Sequence, residues 1–313
     1  MQLVQRLEKD GSALEATTAL KTLWRCSTVG DAVAQCIKDI CRFQRPYQVQ
    51  VDAYNFCGLH SAIVDALDDN SGLSLEDVIN SIIFAAKTLQ EALGQEGSIV
   101  HSDGDKGWCT HQLPEPTSDR LSVEACQVSR LDCVELLSAA FFGFVNRTEW
   151  GSRDMPGFAF DDLWEFDCHR WQTKNYVLLG VLLYFHISSM TAHKSLQSEK
   201  LTMTRKAIGP LVEVPHNSVL TMLEIVEDGV SITDFSGEHY LLADFASRYL
   251  GGAVLQGGGS QEESMFIEYT ELLASMYLTE KMLEFEAVEI SNLKRFVEHN
   301  ICFAFTKDSR IAS

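Results

Sequence analysis

Residues Asp244 to Glu263 read DFASRYLGGAVLQGGGSQEE, and the fold of the C-terminal third turns on them. The preceding run HYLLADFA is apolar and short, which predicts a strand ending near Ala243-Asp244. Glycines 251, 252, 257, 258 and 259 then permit positive φ angles and close backbone approach. At Ser260 the pattern turns helical. A helix N-terminus there offers free N–H groups and the positive end of the helix dipole, a natural anion site. Two adjacent carboxylates, Glu262 and Glu263, stand at its mouth. The same letters carry a plainer meaning: Ser260-Gln261-Glu262-Glu263 is an S-x-x-E capping box, and acidic residues suit a first helical turn. No G-x-x-x-x-G-K-[ST] and no clean G-x-G-x-x-G is present, so nucleotide motifs are weak.

Working outward, the residues after about 205 read as alternating strands and loops. LTMLEIVEDG (220–229), SITDFSG (231–237) and HYLLADFA (239–246) are candidate strands. ESMFIEYTELLASMYLTEKMLEF (263–285) has helical periodicity, and AVEIS (287–291) is a further candidate strand. Strand, loop, helix and strand make a βαβ-type segment. The first 200 residues read as predominantly helical. Helices are expected over 16–44, from Ser74 to about Leu93, over Ser129–Val145 and over 172–190. A polar loop is expected from Gly94 to about Ser118.

Composition bounds the function. The chain has 313 residues, 46% of them hydrophobic, enough for a real core. The formal net charge is −19, with no basic stripe, which argues against a general nucleic-acid binder. Nine cysteines occur without a CxxC pair, and no HExxH is present. No metal site, and no cofactor, is expected. The most apolar run, YVLLGVLLYF (176–185), is far short of the ~20 residues that span a bilayer. The N-terminus lacks a signal-peptide core, so the sequon at Asn146 is expected to be accidental.

The quoted stretch resembles the signature of poly(ADP-ribose) glycohydrolases: V-D-F-A-N, a glycine triplet, about seven residues, then Q-E-E. Here it is A-D-F-A-S, Gly251-Gly252-Ala253, seven residues, and Gln261-Glu262-Glu263, without a gap. LLSAAFFGF (136–144) is similar to a helix of that family. FAFDDLWE and YVLLGVLLYF fall where the family has its next helical elements. The resemblance covers roughly residues 125–290.

The resemblance implies an α/β (α+β) fold. A mostly helical accessory domain (1–205) would precede the N-terminal part of a macrodomain-like catalytic domain (206–313). It implies hydrolysis of ribose–ribose O-glycosidic bonds of poly(ADP-ribose). Glu263 would be the general acid, Glu262 would hold ribose hydroxyls, and Asp244 would support the site. Ser247, Gly251, Gly252, Gly258, Gly259 and Gln261 would contact substrate. The implied partners are poly(ADP-ribose) or ADP-ribose and poly(ADP-ribosyl)ated proteins, with no direct DNA or membrane binding. The implied setting is the nucleus or cytoplasm and the DNA damage response.

Ser247 and Ala253 depart from the family letters. The chain also ends about fifty residues after the signature, before the family's tyrosine-bearing loop, further strands and T-G-N-W-G-C-G loop. A truncated macrodomain with poor substrate affinity is therefore expected. The alternative is a catalytically impaired relative that binds ADP-ribose or a protein partner. A helix N-terminus also favours the ionised carboxylate, so burial and like charge must raise one pKa if either glutamate is to be an acid.

Overall fold

Three serines set helix starts among the residues described by the computed structural model, which are 73–95, 98, 100, 122–142, 163, 172–207 and 241–297. Ser74 caps α1 (Leu75–Gly94), Ser129 caps α2 (Arg130–Phe141) and Ser260 caps α5 (Gln261–Glu268). Each forms a reciprocal box with the acidic residue three positions on. The Ser74 amide donates to Asp77 Oδ2 at 2.8 Å, and the Ser129 amide to Asp132 Oδ2 at 2.7 Å. Such a cap satisfies amides that the first turn leaves without helical partners, worth about 1 kcal/mol. Between these elements lie β1 (Ser122–Ser129), α3 (Gln172–Met190), α4 (His193–Ser198) and β2 (Lys200–Ala207). After α5 come α6 (Leu272–Leu278) and β3 (Glu286–Ser291).

The strands form one antiparallel sheet in the order β1-β2-β3. Ser129 pairs with Lys200 and Ser122 with Ala207; Ala207 in turn pairs with Glu286. In β2 the inward positions are Leu201, Met203, Arg205 and Ala207, alternating with less buried residues. Period-2 alternation of this kind is what a sheet with one packed face requires. The buried Arg205 is held by an ion pair to Glu286 at 3.1 Å and by the carbonyls of Glu280 and Lys281 at 2.8 and 2.9 Å.

The sequence-based expectation misses β1 and β2, which lie in the part read as helical. The expected border at residue 205/206 falls inside β2. AVEIS is a strand as expected, β3. Of the run 239–246, read as the strand that opens a βαβ unit, residues 241–246 join no ladder among the described residues. Among the described residues the paired strands are β1, β2 and β3, all antiparallel, and with the helices they make the α/β (α+β) fold expected. The long helix expected over 263–285 is two short ones. The Glu268 carbonyl accepts from the Phe296 and Val297 amides at 2.9 and 3.3 Å, so α5 is not extended past it. Helices α1 and α3 lie as the periodicity predicts. The candidate strands at 220–229 and 231–237, the helix at 16–44 and most of the 94–118 loop lie outside the described residues.

Helices α1, α2 and α3 pack on one another, α6 packs on α2, and α5 packs on α3. One apolar cluster runs through all of them, with Phe141, Phe142, Tyr184, Phe185 and Phe266 fully buried. Phe141 meets Phe185 edge-on at 5.7 Å, and Tyr184 meets Phe296 edge-on at 4.9 Å. Each such ring contributes about 1.5–3 kcal/mol by burial. This core fixes where the N-terminus of α5 sits.

A buried cation ties these layers. Arg130, at the start of α2, donates through Nε to Glu199 at 2.9 Å, through Nη2 to the Asn292 carbonyl at 2.7 Å and through Nη1 to Glu271. The arginine is buried and Glu271 fully so. Among the described residues no helix is long and apolar enough to cross a membrane.

Candidate active site

The loop before α5 is shaped by its glycines. Gly251 and Gly252 have φ of +88° and +50°, a left-handed region that strains residues with a Cβ. A short 3-10 turn, Val254–Gln256, follows and buries Val254 and Leu255. Gly257 (φ +89°) ends it, and the chain reverses so that the Gly258 amide reaches the Ala253 carbonyl at 2.8 Å. The loop thus wraps around the first turn of α5.

Glu262 and Glu263 fill the inside of that wrap. They are only 4% and 5% exposed. Glu262 Oε1 accepts the Gly251 amide at 2.8 Å, and its Oε2 accepts the Ser247 amide at 2.9 Å. Glu263 Oε1 accepts the Ala253 amide at 2.9 Å. Its Oε2 accepts the Ser260 amide at 2.6 Å and the Ser260 hydroxyl. All four carboxylate oxygens therefore have a donor from the chain itself. The fit is close: a Cβ on Gly252 would lie 2.6 Å from Glu262 Oε2 and 2.7 Å from Glu263 Oε1.

The electrostatics differ between neighbours. Burial pushes Glu262 up, and the nearby charges of Asp244 and Glu263 add to it; the Ser247 and Gly251 amides only partly oppose this. Glu263 is also pushed up by burial, but the Ser260 hydroxyl and the Ala253 and Ser260 amides outweigh that and hold it below the ordinary range. Asp244 is raised to about 6 by burial and by the charge of Glu263. Its Oδ1 is buried and has no hydrogen-bond partner among the described residues.

The residues singled out from sequence converge here. Asp244 adjoins the pair electrostatically, and the Ser247 and Gly251 amides bond to it. Gly252 and Gly258 lie against the carboxylates. Gly259 is at the exposed rim, with Ser247, Ala253 and Ser260. Of the loop amides expected to greet an anion, those of Gly251, Ala253 and Ser260 are engaged by Glu262 and Glu263, and those of Gly252 and Gly258 by backbone carbonyls. Gln261 is turned to the Leu241–Ser247 segment, where its Nε2 donates to the Ala243 carbonyl at 2.6 Å and its Oε1 accepts the Phe245 amide at 3.2 Å. Ala253, absent from the residues singled out, supplies a donor to Glu263; because the contact is through backbone, no side-chain letter could reveal it. Among the described residues no cluster of His, Cys, Asp and Glu could hold a metal ion.

Residues 214–308 match the family model described as poly(ADP-ribose) glycohydrolase, macro domain fold. The chain is similar to poly(ADP-ribose) glycohydrolase 1 of Arabidopsis thaliana, 42% identical over 59 residues, which is 19% of this chain and 11% of the relative. It is also similar to poly(ADP-ribose) glycohydrolase 1 of Caenorhabditis elegans, 47% identical over 47 residues, 15% of this chain and 6% of the relative. The chain thus aligns with about a tenth or less of the length of these curated relatives. The carboxylate pair behind its glycine loop lies within the segment that matches this family model, and through that segment the chain is similar to the poly(ADP-ribose) glycohydrolases.

Proposed function

We propose that the chain carries the glutamate centre of a poly(ADP-ribose) glycohydrolase and acts on ribose–ribose O-glycosidic bonds. The observation that carries this is the convergence of three carboxyl groups, Asp244, Glu262 and Glu263, in one desolvated spot whose exposed rim, among the described residues, includes Ser247, Ala253, Gly259 and Ser260. Glycoside hydrolysis needs a proton donor for the leaving oxygen and a carboxylate to assist water at an oxocarbenium-like carbon. The α5 N-terminus supplies fixed positive potential beside the pair.

Glu263 is the assigned acid, and the geometry gives a route to its protonation. Its largest single influence is burial, which favours the neutral form. Substrate covering Ala253, Gly259 and Ser260 increases that burial. Rotation of the Ser260 hydroxyl toward a ribose removes the strongest of the opposing bonds. Glu263 then rises and donates to the departing ribose oxygen, after which its carboxylate draws a proton from the attacking water. Glu262, fixed by two amides, holds ribose hydroxyls in register. Poly(ADP-ribosyl)ated proteins in the nucleus or cytoplasm are the proposed targets.

The test is ADP-ribose release from poly(ADP-ribose) by the purified chain and by Glu263→Gln. Loss of release is expected in the variant, with a stability change of about 1–3 kcal/mol, since an amide NH₂ then faces backbone donors. Equal turnover in the two would refute Glu263 as the acid. The near-complete enclosure of the pair favours a second reading, an ADP-ribose-binding relative without turnover. It predicts heat of ADP-ribose binding by calorimetry and no release.

A further inference from the structure

The segment Leu241–Ser247 is extended, with Leu241, Ala243, Phe245 and Ser247 exposed and Leu242, Asp244 and Ala246 half-buried. In an extended chain the carbonyl of one residue and the amide two positions on point to the same edge. Along Ala243 and Phe245 that edge is met by a side chain rather than a strand. Gln261 Nε2 donates to the Ala243 carbonyl at 2.6 Å and Gln261 Oε1 accepts the Phe245 amide at 3.2 Å. The two bonds straddle Asp244. Only a carboxamide offers a donor and an acceptor side by side; a carboxylate lacks the donor, and asparagine is one methylene shorter.

The same rung controls both partners of the glutamate pair on this segment. Asp244 sits between the bonded groups and feels the Glu263 charge. Two residues beyond Phe245, the Ser247 amide donates to Glu262 Oε2 at 2.9 Å. Gln261 is itself the first residue of α5, adjacent to Glu262, so the helix and the segment are registered to each other by its carboxamide together with the Glu262 carboxylate.

We propose that Gln261 is a positioning residue: its carboxamide stands in for a neighbouring strand and so holds Asp244 and the Ser247 amide against Glu262 and Glu263. It rests on the proposed function only for its catalytic consequence. The placement itself is tested on the full chain without substrate, in Gln261→Leu, which removes both bonds, and Gln261→Glu, which sets an oxygen against the Ala243 carbonyl.

Amide exchange at Phe245 and Ser247 is expected to rise about five- to tenfold in both variants, the loss of about one net hydrogen bond. The carboxyl titration of Asp244, followed by carbon NMR, is expected to fall from about 6 toward the ordinary range as water reaches it. With poly(ADP-ribose) as the probe, kcat is expected to drop while KM changes little. Unchanged exchange and titration in both variants overturn the proposal, as does a raised KM at constant kcat, which would make Gln261 a substrate contact. If the wild-type chain releases no ADP-ribose, the glycohydrolase assignment fails, while exchange and titration still decide the role of Gln261.

Discussion

Replacing Gly252 by alanine tests the closeness of the loop to the glutamate pair. Its φ of +50° costs an alanine about 1–2 kcal/mol in backbone strain. The new Cβ would stand 2.6 Å from Glu262 Oε2 and 2.7 Å from Glu263 Oε1, so both carboxylates must move. These oxygens accept the Ser247 and Ala253 amides at 2.9 Å each. Hydrogen bonds to charged groups are worth about 1.5–3 kcal/mol, and weakening two of them by half adds about 2 kcal/mol. The expected total is about 3–4 kcal/mol. At about 2–4 °C per kcal/mol for a chain of this size, Tm should fall by roughly 10 °C. Thermal and urea unfolding of the full chain measure it, with Gly94→Ala as control. A Cβ at Gly94 meets nothing within 4 Å, so that variant should match or slightly exceed wild type. Gly258→Ala should be intermediate, because its Cβ would meet Glu263 Oε1 at 2.8 Å and Ala253 Cβ at 2.9 Å but its backbone is not in the left-handed region. A Gly252→Ala protein within about 1 kcal/mol of wild type would refute the close packing of loop and carboxylates.

The raised pKa of Asp244 makes stability depend on pH in a definite direction. Its folded value of about 6 exceeds the ordinary 3.8, so the folded state holds the proton more tightly. That contribution is fully present below 3.8 and is lost as pH rises through 6. Asp244→Asn should therefore gain about 1–3 kcal/mol over wild type at pH 7–8 and nearly nothing at pH 4, read by urea unfolding at each pH; a pH-independent difference would contradict the desolvation of Asp244. Arg130→Met leaves the fully buried Glu271 without its cation and should cost about 3–5 kcal/mol, whereas Glu199→Gln, at a half-exposed partner, should cost less than about 1 kcal/mol. Equal losses would show that burial does not separate the two pairs.

How much of this was legible in the sequence depended on whether the signal was local. Capping is local: Ser74 and Ser260 with their acidic partners mark helix starts in the letters themselves. So does the apolar period of α1 and α3. Strands β1 and β2 were hidden because each has few large apolar residues, and β2 turns an arginine inward. Arg205 can face the core only because Glu286, 81 positions away, meets it. The break between α5 and α6 was hidden for a similar reason, since the donors that end α5 come from Phe296 and Val297.

The sequence by itself carried the resemblance to the poly(ADP-ribose) glycohydrolases and the register of the site: Asp244, the glycines and Gln261-Glu262-Glu263 at fixed spacing. It left open whether Ser260 and Glu263 make a cap or a catalytic mouth. The tertiary structure decided that they make a cap and more than a cap. Among the described residues the boxes at Ser74 and Ser129 have acidic partners hydrogen-bonded to their own serine, whereas Glu263 also takes an amide from the far side of the glycine loop. Only folding brings that amide, the Ser247 and Gly251 amides and the Asp244 carboxyl around the pair. The physical reason is that these contacts run through backbone N–H groups, which every residue type carries and no sequence pattern distinguishes.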